Sequence, residues 1–113
     1  MEKEVLKTKV CSYLRNQEYK SCEEKHGFDV CGIKRLPFGN EYLVVGCNTK
    51  EEITTNYVRP FITKTENFKN EVAPFPSLSS VKGLIAYSGK KPEPEVLALI
   101  KRSKVSIKFK KFR

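Results

Sequence analysis

Residues 26–50 read HGFDVCGIKRLPFGNEYLVVGCNTK, and they predict two strands joined by a turn. The first strand is expected over 28–35. The second is expected over 41–48, where Tyr-Leu-Val-Val forms an apolar run. Between them, residues 36–40 supply the proline, glycine and asparagine that turns favour. The stretch therefore predicts a β-hairpin with polar residues at both of its ends.

A family resemblance is visible at the ends of this hairpin. The first strand opens with Gly27-Phe28-Asp29-Val30, and the second ends with the short polar signature Gly46-Cys47-Asn48. A strand that opens G-F/Y-D-V, followed by a turn and a second apolar strand, resembles the core of the PD-(D/E)XK nuclease superfamily. That superfamily includes restriction endonucleases and archaeal Holliday-junction resolvases. Elsewhere in the chain, only the order of the predicted elements carries the resemblance.

The resemblance implies a metal-dependent site at one edge of a sheet. In the family, an aspartate and a Glu-X-Lys on the next strand converge there, two carboxylates hold Mg²⁺, and the lysine helps to activate water. Asp29 falls at the position of the aspartate, whereas the Glu-X-Lys position reads Gly46-Cys47-Asn48. We therefore expect a nuclease-like sheet with a degenerate catalytic site. No cofactor is expected, and Mg²⁺ would be needed only if activity survives.

Two roles are open for Asp29. It can remain as a weak metal ligand, or it can accept backbone N–H groups in the turn after Gly27, and the lack of a partner carboxylate favours the second. Glu41 cannot replace the missing carboxylate at Gly46. It begins the second strand and lies several residues, at about 3.3 Å each, from Asn48.

An active enzyme with a migrated site is the alternative hypothesis. In resolvase-like members of the family the opening helix often carries a glutamate that joins the metal site, and Glu2 or Glu4 would be that residue here. Lys50 would then replace the missing lysine beside Asp29. The competing interpretation of both glutamates is an exposed first helical turn in which they complement the helix dipole.

The composition predicts one domain, residues 1–113, with a basic surface. The chain has 22 basic and 13 acidic residues, a formal charge of +9, and 39% hydrophobic residues, which suffice for a modest core. Such an excess of positive charge indicates a polyanionic partner, with nucleic acid, and DNA first, ahead of an acidic protein or a membrane surface. The alternative is a lysine-rich surface that only maintains solubility.

The C-terminal segment concentrates this charge. No acidic residue follows Glu95, while seven basic residues do: Lys101, Arg102, Lys104, Lys108, Lys110, Lys111 and Arg113. They are the predicted nucleic-acid-binding residues, because clustered lysines neutralise phosphates without reading base sequence. Lysines that guard an edge strand against sheet-to-sheet pairing are the alternative, and both roles can hold together.

The four cysteines, Cys11, Cys22, Cys31 and Cys47, do not have the spacing of a zinc site. No segment resembles a signal peptide and no run approaches 18 apolar residues, so we expect an intracellular, cytoplasmic protein that does not contact a membrane. Reduced and mostly buried thiols follow from that expectation. A disulfide between Cys22 and Cys31 is the alternative.

Together these patterns predict a mixed α/β fold, with a central sheet flanked by helices in the order α-β-β-β-α-β-α-β of the restriction-endonuclease-like core. Phe75 is expected to plug the core from a proline-stiffened loop. The predicted function is nucleic-acid binding, alone, as a homodimer or as a non-catalytic subunit of a nucleic-acid-processing complex. A module that binds an acidic protein partner is the third hypothesis. The remaining elements are expected as a helix over 2–17, a strand over 18–25, a helix interrupted near Pro60, a stiff loop over 73–80, a strand over 82–88, a helix over 92–102 with Pro92-Glu93-Pro94-Glu95 as its first turn, and a strand over 105–110.

Overall fold

The first helix, α1, spans Lys3–Asn16 in the computed structural model, which describes residues 1–22, 27–75 and 78–113. Its apolar residues Leu6, Val10 and Leu14 recur every four positions and are all buried. Residues at this spacing share one face of a helix, so α1 presents a single apolar stripe to the sheet. The helix predicted over 2–17 is confirmed.

The predicted hairpin forms the centre of the sheet. Strand β2, Val30–Leu36, pairs antiparallel with strand β3, Gly39–Asn48. Leu36 is already the cross-strand partner of Gly39, so the turn contains only residues 37 and 38 and is shorter than the predicted stretch. Strand β1, Lys20–Cys22, pairs antiparallel with the other edge of β2.

The second half of the chain adds two parallel strands. Strand β4, Ser80–Tyr87, pairs parallel with β3, and strand β5, Ser106–Lys111, pairs parallel with β4. Each parallel step needs a crossover, which helices α2, Thr55–Val72, and α3, Pro94–Lys101, provide. The sheet order is β1-β2-β3-β4-β5, and the element order is the predicted α-β-β-β-α-β-α-β.

The helices cover the two faces of this mixed sheet. On one face, the α1 stripe packs against β-strand residues that include Val45 and Leu84. On the other face, α2 contributes Phe61 and α3 contributes Val96 to a second cluster around Ile85. A central sheet with apolar residues on both faces is therefore buried from both sides, which is the predicted α/β arrangement.

Helix α2 continues through Pro60 instead of being interrupted there. Thr54 caps its N-terminus by accepting a hydrogen bond from the N–H of Tyr57, 3.2 Å away. Pro60 and Asn56, the residue whose carbonyl loses its helical partner, are both exposed. Because water can reach that carbonyl, the missing hydrogen bond does not end the helix, and the prediction of a break was wrong.

The cysteines differ in burial and in oxidation state, whereas the sequence predicted reduced and mostly buried thiols. Cys11 is free and exposed, and Cys47 is free and buried. Cys31 is in a disulfide, so the expectation is wrong for this residue. The register places the Cα atoms of Cys22 and Cys31 opposite each other on β1 and β2, as the alternative disulfide required.

Some predictions concern residues that the structure does not describe, and one concerning a described residue is wrong. The part of the first strand predicted over 23–25, His26, the side chain of Cys22 and loop residues 76–77 lie outside the described residues. Phe75 is 65% exposed, so the prediction that it plugs the core is wrong. Among the helices that the structure describes, none has the length and apolarity that crossing a bilayer requires.

Candidate functional site

Asp29 lies immediately before β2, where its main chain and side chain both bind β3. Its N–H donates to the carbonyl of Val45 at 3.1 Å, and its Oδ2 accepts the N–H of Cys47 at 2.7 Å. The carboxylate thus accepts a backbone N–H, as the favoured hypothesis stated, but from the neighbouring strand and not from the turn after Gly27. The two hydrogen bonds of Asp29 therefore continue the antiparallel pairing of β2 and β3 one residue beyond Val30.

The second oxygen of Asp29 is taken by a lysine. The Nζ of Lys3, in the first turn of α1, lies 3.0 Å from Oδ1, and this lysine side chain is 53% exposed. Magnesium binds carboxylate oxygens at about 2.1 Å and would have to share this oxygen with the ammonium group. Repulsion between the two cations therefore disfavours a divalent ion at Asp29 while Lys3 stays in place.

Gly46, the position to which the family resemblance assigns a glutamate, lines a cleft together with Asp29. A Cβ atom placed on Gly46 would lie 2.7 Å from the hydroxyl of Tyr57 and 3.1 Å from the ring of Phe61. Both aromatic residues come from α2, which packs over the end of β3. The space that a second carboxylate would enter is therefore occupied by Tyr57 and Phe61.

Two side chains at this site, Cys47 and Tyr57, have raised pKa values. Burial, and after it the negative charge of Asp29, raises the pKa of the Cys47 thiol to about 12. Burial also raises the pKa of the Tyr57 hydroxyl, with further contributions from Asp29 and Cys47. Both groups stay protonated at neutral pH, so Cys47 is not a thiolate nucleophile and Tyr57 is available as a hydrogen-bond donor.

Asn48 and Lys50 do not line the cleft. The side chain of Asn48 is buried, and its Oδ1 accepts the backbone N–H of Lys50 at 2.8 Å, which closes the turn after β3. The side chain of Lys50 is exposed. The next residue, Glu51, bonds through its carbonyl to the N–H of Lys90 at 2.8 Å, so this segment runs toward the loop after β4.

The two N-terminal glutamates also lie outside the lining of the cleft. Glu2 is the exposed N-cap residue of α1. The side chain of Glu4 is 84% exposed and lies 3.9 Å from Lys7 one turn later. These positions are those of the alternative interpretation, in which first-turn glutamates complement the helix dipole. No group of three or more His, Cys, Asp or Glu side chains able to hold a metal occurs in the described parts of the chain.

A second lysine that the sequence did not single out lies in the cleft. Lys64 of α2 donates from Nζ to the carbonyl of Gly27 at 2.9 Å, and its ammonium lies 5.7 Å from the centre of the Phe28 ring. Asn56, Pro60 and Lys64 follow one another at intervals of four residues, so they form one stripe of α2 along the cleft. This spacing is the signal that sequence reasoning missed.

The cleft has a volume of about 310 Å³ and brings together residues from α1, β3, α2 and the segment 27–29 that precedes β2. Its charged groups are the ammonium groups of Lys3 and Lys64 and the carboxylate of Asp29, and its polar groups include Asn56 and the Tyr57 hydroxyl. Two cations and one anion leave a net positive cleft. Such a cleft can receive an anionic oxygen, which the lysines and the tyrosine hydroxyl can bind.

The C-terminal basic residues form an exposed surface rather than a pocket. All seven predicted binding residues from Lys101 to Arg113 are exposed, and β5 is an edge strand of the sheet. Lys108 and Lys110 share the sheet face that α1 covers, where the Lys110 ammonium lies 5.0 Å from the centre of the Tyr13 ring. Both lysines are nonetheless exposed. Their position also fits lysines that protect an edge strand.

Comparison with known proteins found no family model, no curated protein and no solved structure that matches this chain.

Proposed function

We propose that this protein is a nuclease-like α/β domain that binds the phosphate backbone of nucleic acid, most readily DNA, without cutting it. One observation carries the proposal: at the cleft, Lys3 neutralises the Asp29 carboxylate while Tyr57 and Phe61 fill the space of a second carboxylate. This arrangement removes the anionic pair that grips Mg²⁺ and keeps the cations that attract phosphate.

The order of elements supports a restriction-endonuclease-like core. The chain runs α-β-β-β-α-β-α-β, and β2 is antiparallel to its neighbours while β3, β4 and β5 are parallel to one another. Asp29 immediately precedes β2, and Gly46 lies near the end of β3. Both line one cleft at the same edge of the sheet, as the resemblance implies for an aspartate and a glutamate.

Charge supports a polyanionic ligand. Lys3 and Lys64 come from two different helices to one cleft, and the exposed C-terminal cluster adds seven more cations. The chain as a whole carries +9. Because counterion release drives the binding of such surfaces to phosphates, affinity should fall steeply as salt increases.

The active-enzyme alternative requires Asp29, Glu4 and Lys50 to meet around a metal. In the described structure Glu4 pairs with Lys7, and Lys50 follows the turn that Asn48 closes. A rearrangement of both segments would be needed to bring these residues together. We therefore rank binding without cleavage first, and homodimerisation or a place in a nucleic-acid-processing complex remains part of the proposal.

A cleavage assay with a matched aspartate variant separates the two functions. Purified protein is incubated with supercoiled, branched and single-stranded DNA in Mg²⁺ or Mn²⁺, beside Asp29→Ala. We expect no cleavage by the unchanged protein above that of the variant. Cleavage by the unchanged protein that Asp29→Ala abolishes would overturn the proposal.

DNA binding by the Asp29→Asn variant gives a second test, in which the substitution is expected to increase affinity. Asparagine can still accept the N–H of Cys47 but no longer neutralises Lys3, so we expect affinity for duplex DNA to rise several-fold at low salt. A metal-dependent binding site would instead lose affinity. If the unchanged protein shows no affinity for DNA or RNA even at low salt, the module that binds an acidic protein becomes the favoured function.

A further inference from the structure

The turn between β2 and β3 carries an exposed apolar tip, defined here as Leu36, Pro37 and Phe38. Phe38 is 82% exposed and Leu36 is 46% exposed. Among the described residues, no other large hydrophobic side chain is as exposed as Phe38. The tip lies at the end of the sheet opposite Asp29, about 20 Å away along the seven residues of β2.

The tip is held in position by the loop before β4. The N–H of Asn40 donates to the Ser79 hydroxyl at 3.0 Å, and a Cβ atom at Gly39 would overlap the carbonyl oxygen of Leu78. Pro37 fixes its own backbone torsion within the turn. Phe38 is therefore presented on a constrained turn, so little conformational entropy is lost when a ligand covers it.

Three basic residues lie on the strands near the tip. Lys34 and Arg35 are the residues that lead into it, and the Lys34 ammonium lies 4.6 Å from the centre of the Tyr19 ring. Lys82 on β4 is 51% exposed and lies 3.7 Å from Glu41, the only acidic residue within 30–48. The tip thus combines an apolar end with a basic collar formed by Lys34, Arg35 and Lys82.

We infer that the tip is a wedge that inserts between the bases of nucleic acid where stacking is already interrupted, while the basic collar binds the flanking phosphates. The inference rests on the proposed nucleic-acid binding and specifies the recognised feature, which is a site of interrupted base stacking. Leucine, proline and phenylalanine are side chains that proteins insert between base steps, and unstacking is least costly at an unpaired base. An apolar protein partner would bury the same tip, but it would gain nothing from the three cations that adjoin it.

The test compares Phe38→Ala with the unchanged protein on two DNA probes. One probe is a fully paired duplex, and the other is the same duplex with a two-nucleotide bulge next to a 2-aminopurine base. We expect the unchanged protein to prefer the bulged probe and to raise the 2-aminopurine fluorescence. Phe38→Ala should bind the bulged probe about tenfold more weakly, without the fluorescence rise, and should bind the paired probe equally well.

Phe75→Ala is the matched control, since Phe75 is also exposed, at 65%, and lies outside the tip. It should behave as the unchanged protein on both probes. The salt dependence gives an independent readout. Lys34→Ala and Arg35→Ala should each reduce the slope of log affinity against log salt by about one, whereas Phe38→Ala should leave that slope unchanged.

The outcomes distinguish the wedge from the proposed function. If the unchanged protein binds both probes and Phe38→Ala binds them identically, the wedge is wrong and phosphate binding stands. If the unchanged protein binds neither probe at low salt, both fail. If Phe38→Ala leaves DNA binding intact but abolishes self-association in sedimentation experiments, the tip is a contact between two copies of the chain, and the wedge is again overturned.

Discussion

The two ends of the sheet contain the same kinds of residue in different arrangements. At the Asp29 end, where β2 begins and β3 ends, the carboxylate binds Lys3 and a backbone N–H beside Tyr57. At the Glu41 end, where β2 ends and β3 begins, Glu41 accepts a hydrogen bond from the Tyr19 hydroxyl and lies 3.7 Å from Lys82. Each end therefore combines one carboxylate, a lysine and a tyrosine.

The difference lies in the space beside each carboxylate. Asp29 lines a cleft of about 310 Å³ together with lysines from two helices. Glu41 does not line the depression next to it, which has a volume of about 160 Å³ and is formed in part by Tyr19, Leu43 and Lys82. A carboxylate paired with lysine is thus a structural contact at one end and part of an open site at the other. Residue types alone do not distinguish the two.

The largest expected effect concerns the glycine at the Glu41 end. Gly39→Ala should lower the free energy of unfolding by about 3 kcal/mol, because the new Cβ meets the backbone carbonyl of Leu78 and not a movable side chain. Urea denaturation measures the change. An unfolding free energy within experimental error of the unchanged protein would show that the loop before β4 does not hold the tip.

The second prediction tests the cleft as the binding end. The double variant Lys3→Ala, Lys64→Ala should lose about 100-fold in affinity for duplex DNA near 0.1 M salt, since each lost phosphate contact costs about tenfold. Fluorescence anisotropy at several salt concentrations measures it, and the salt slope should fall by about two.

The matched control for the cleft lysines is Lys9→Ala, Lys69→Ala, which removes one lysine from each of the same helices. Neither Lys9 nor Lys69 lines the cleft. An equal loss of affinity in both double variants would mean that net charge alone attracts the DNA and that the cleft has no special part in binding.

The third prediction concerns the glycine at the Asp29 end. Gly46→Ala should destabilise the fold by about 1 kcal/mol, less than Gly39→Ala, because the obstructing atoms belong to the side chains of Tyr57 and Phe61. Tyr57→Phe removes the nearest of these atoms and should restore part of the loss in the double variant. If the effects of the two substitutions simply add, Tyr57 does not occupy the space beside Gly46.

The smallest effect is the pH dependence at Glu41. The hydrogen bond from Tyr19 lowers the pKa of the Glu41 carboxyl below its usual value of 4.5, with Lys82 and Lys34 acting in the same direction against partial burial. A lowered folded-state pKa stabilises the fold above the unfolded-state pKa, and this stabilisation is lost as the pH falls below about 4.5.

Glu41→Gln should therefore reduce the unfolding free energy by less than about 1 kcal/mol at pH 7, and the difference should shrink toward pH 3. Urea denaturation of both proteins at each pH measures this. A difference that stays constant with pH would show that the charge of Glu41 does not contribute.

The local elements could be predicted because each depends on residues that are close in sequence. The four-residue spacing of Leu6, Val10 and Leu14 predicted α1, and the glycine and proline of the central stretch predicted the hairpin. The break at Pro60 was predicted wrongly because the pattern does not show which side of the helix water reaches. Exposure of Phe75 was missed for the same reason, since apolar character does not by itself determine burial.

The cleft could be predicted only in part. The family resemblance implied that Asp29 and Gly46 meet at one edge of the sheet, and both line the same cleft. Lys64 was missed, because it lies 37 residues from Gly27, whose carbonyl it binds. The sequence analysis considered Glu2 and Glu4 as partners of Asp29 but not Lys3, which lies between them. Because a small rotation of α1 determines which of these side chains faces Asp29, the sequence alone does not identify the partner.

The sequence by itself determined the helices, most of the strands, their order and the excess of positive charge, because periodicity and composition act over short distances. The tertiary structure decided which side chains meet, since the α2 and α3 crossovers and the packing of α1 bring distant residues to one end of the sheet. The pairing of Lys3 with Asp29 and the approach of Tyr57 to Gly46 are consequences of that packing.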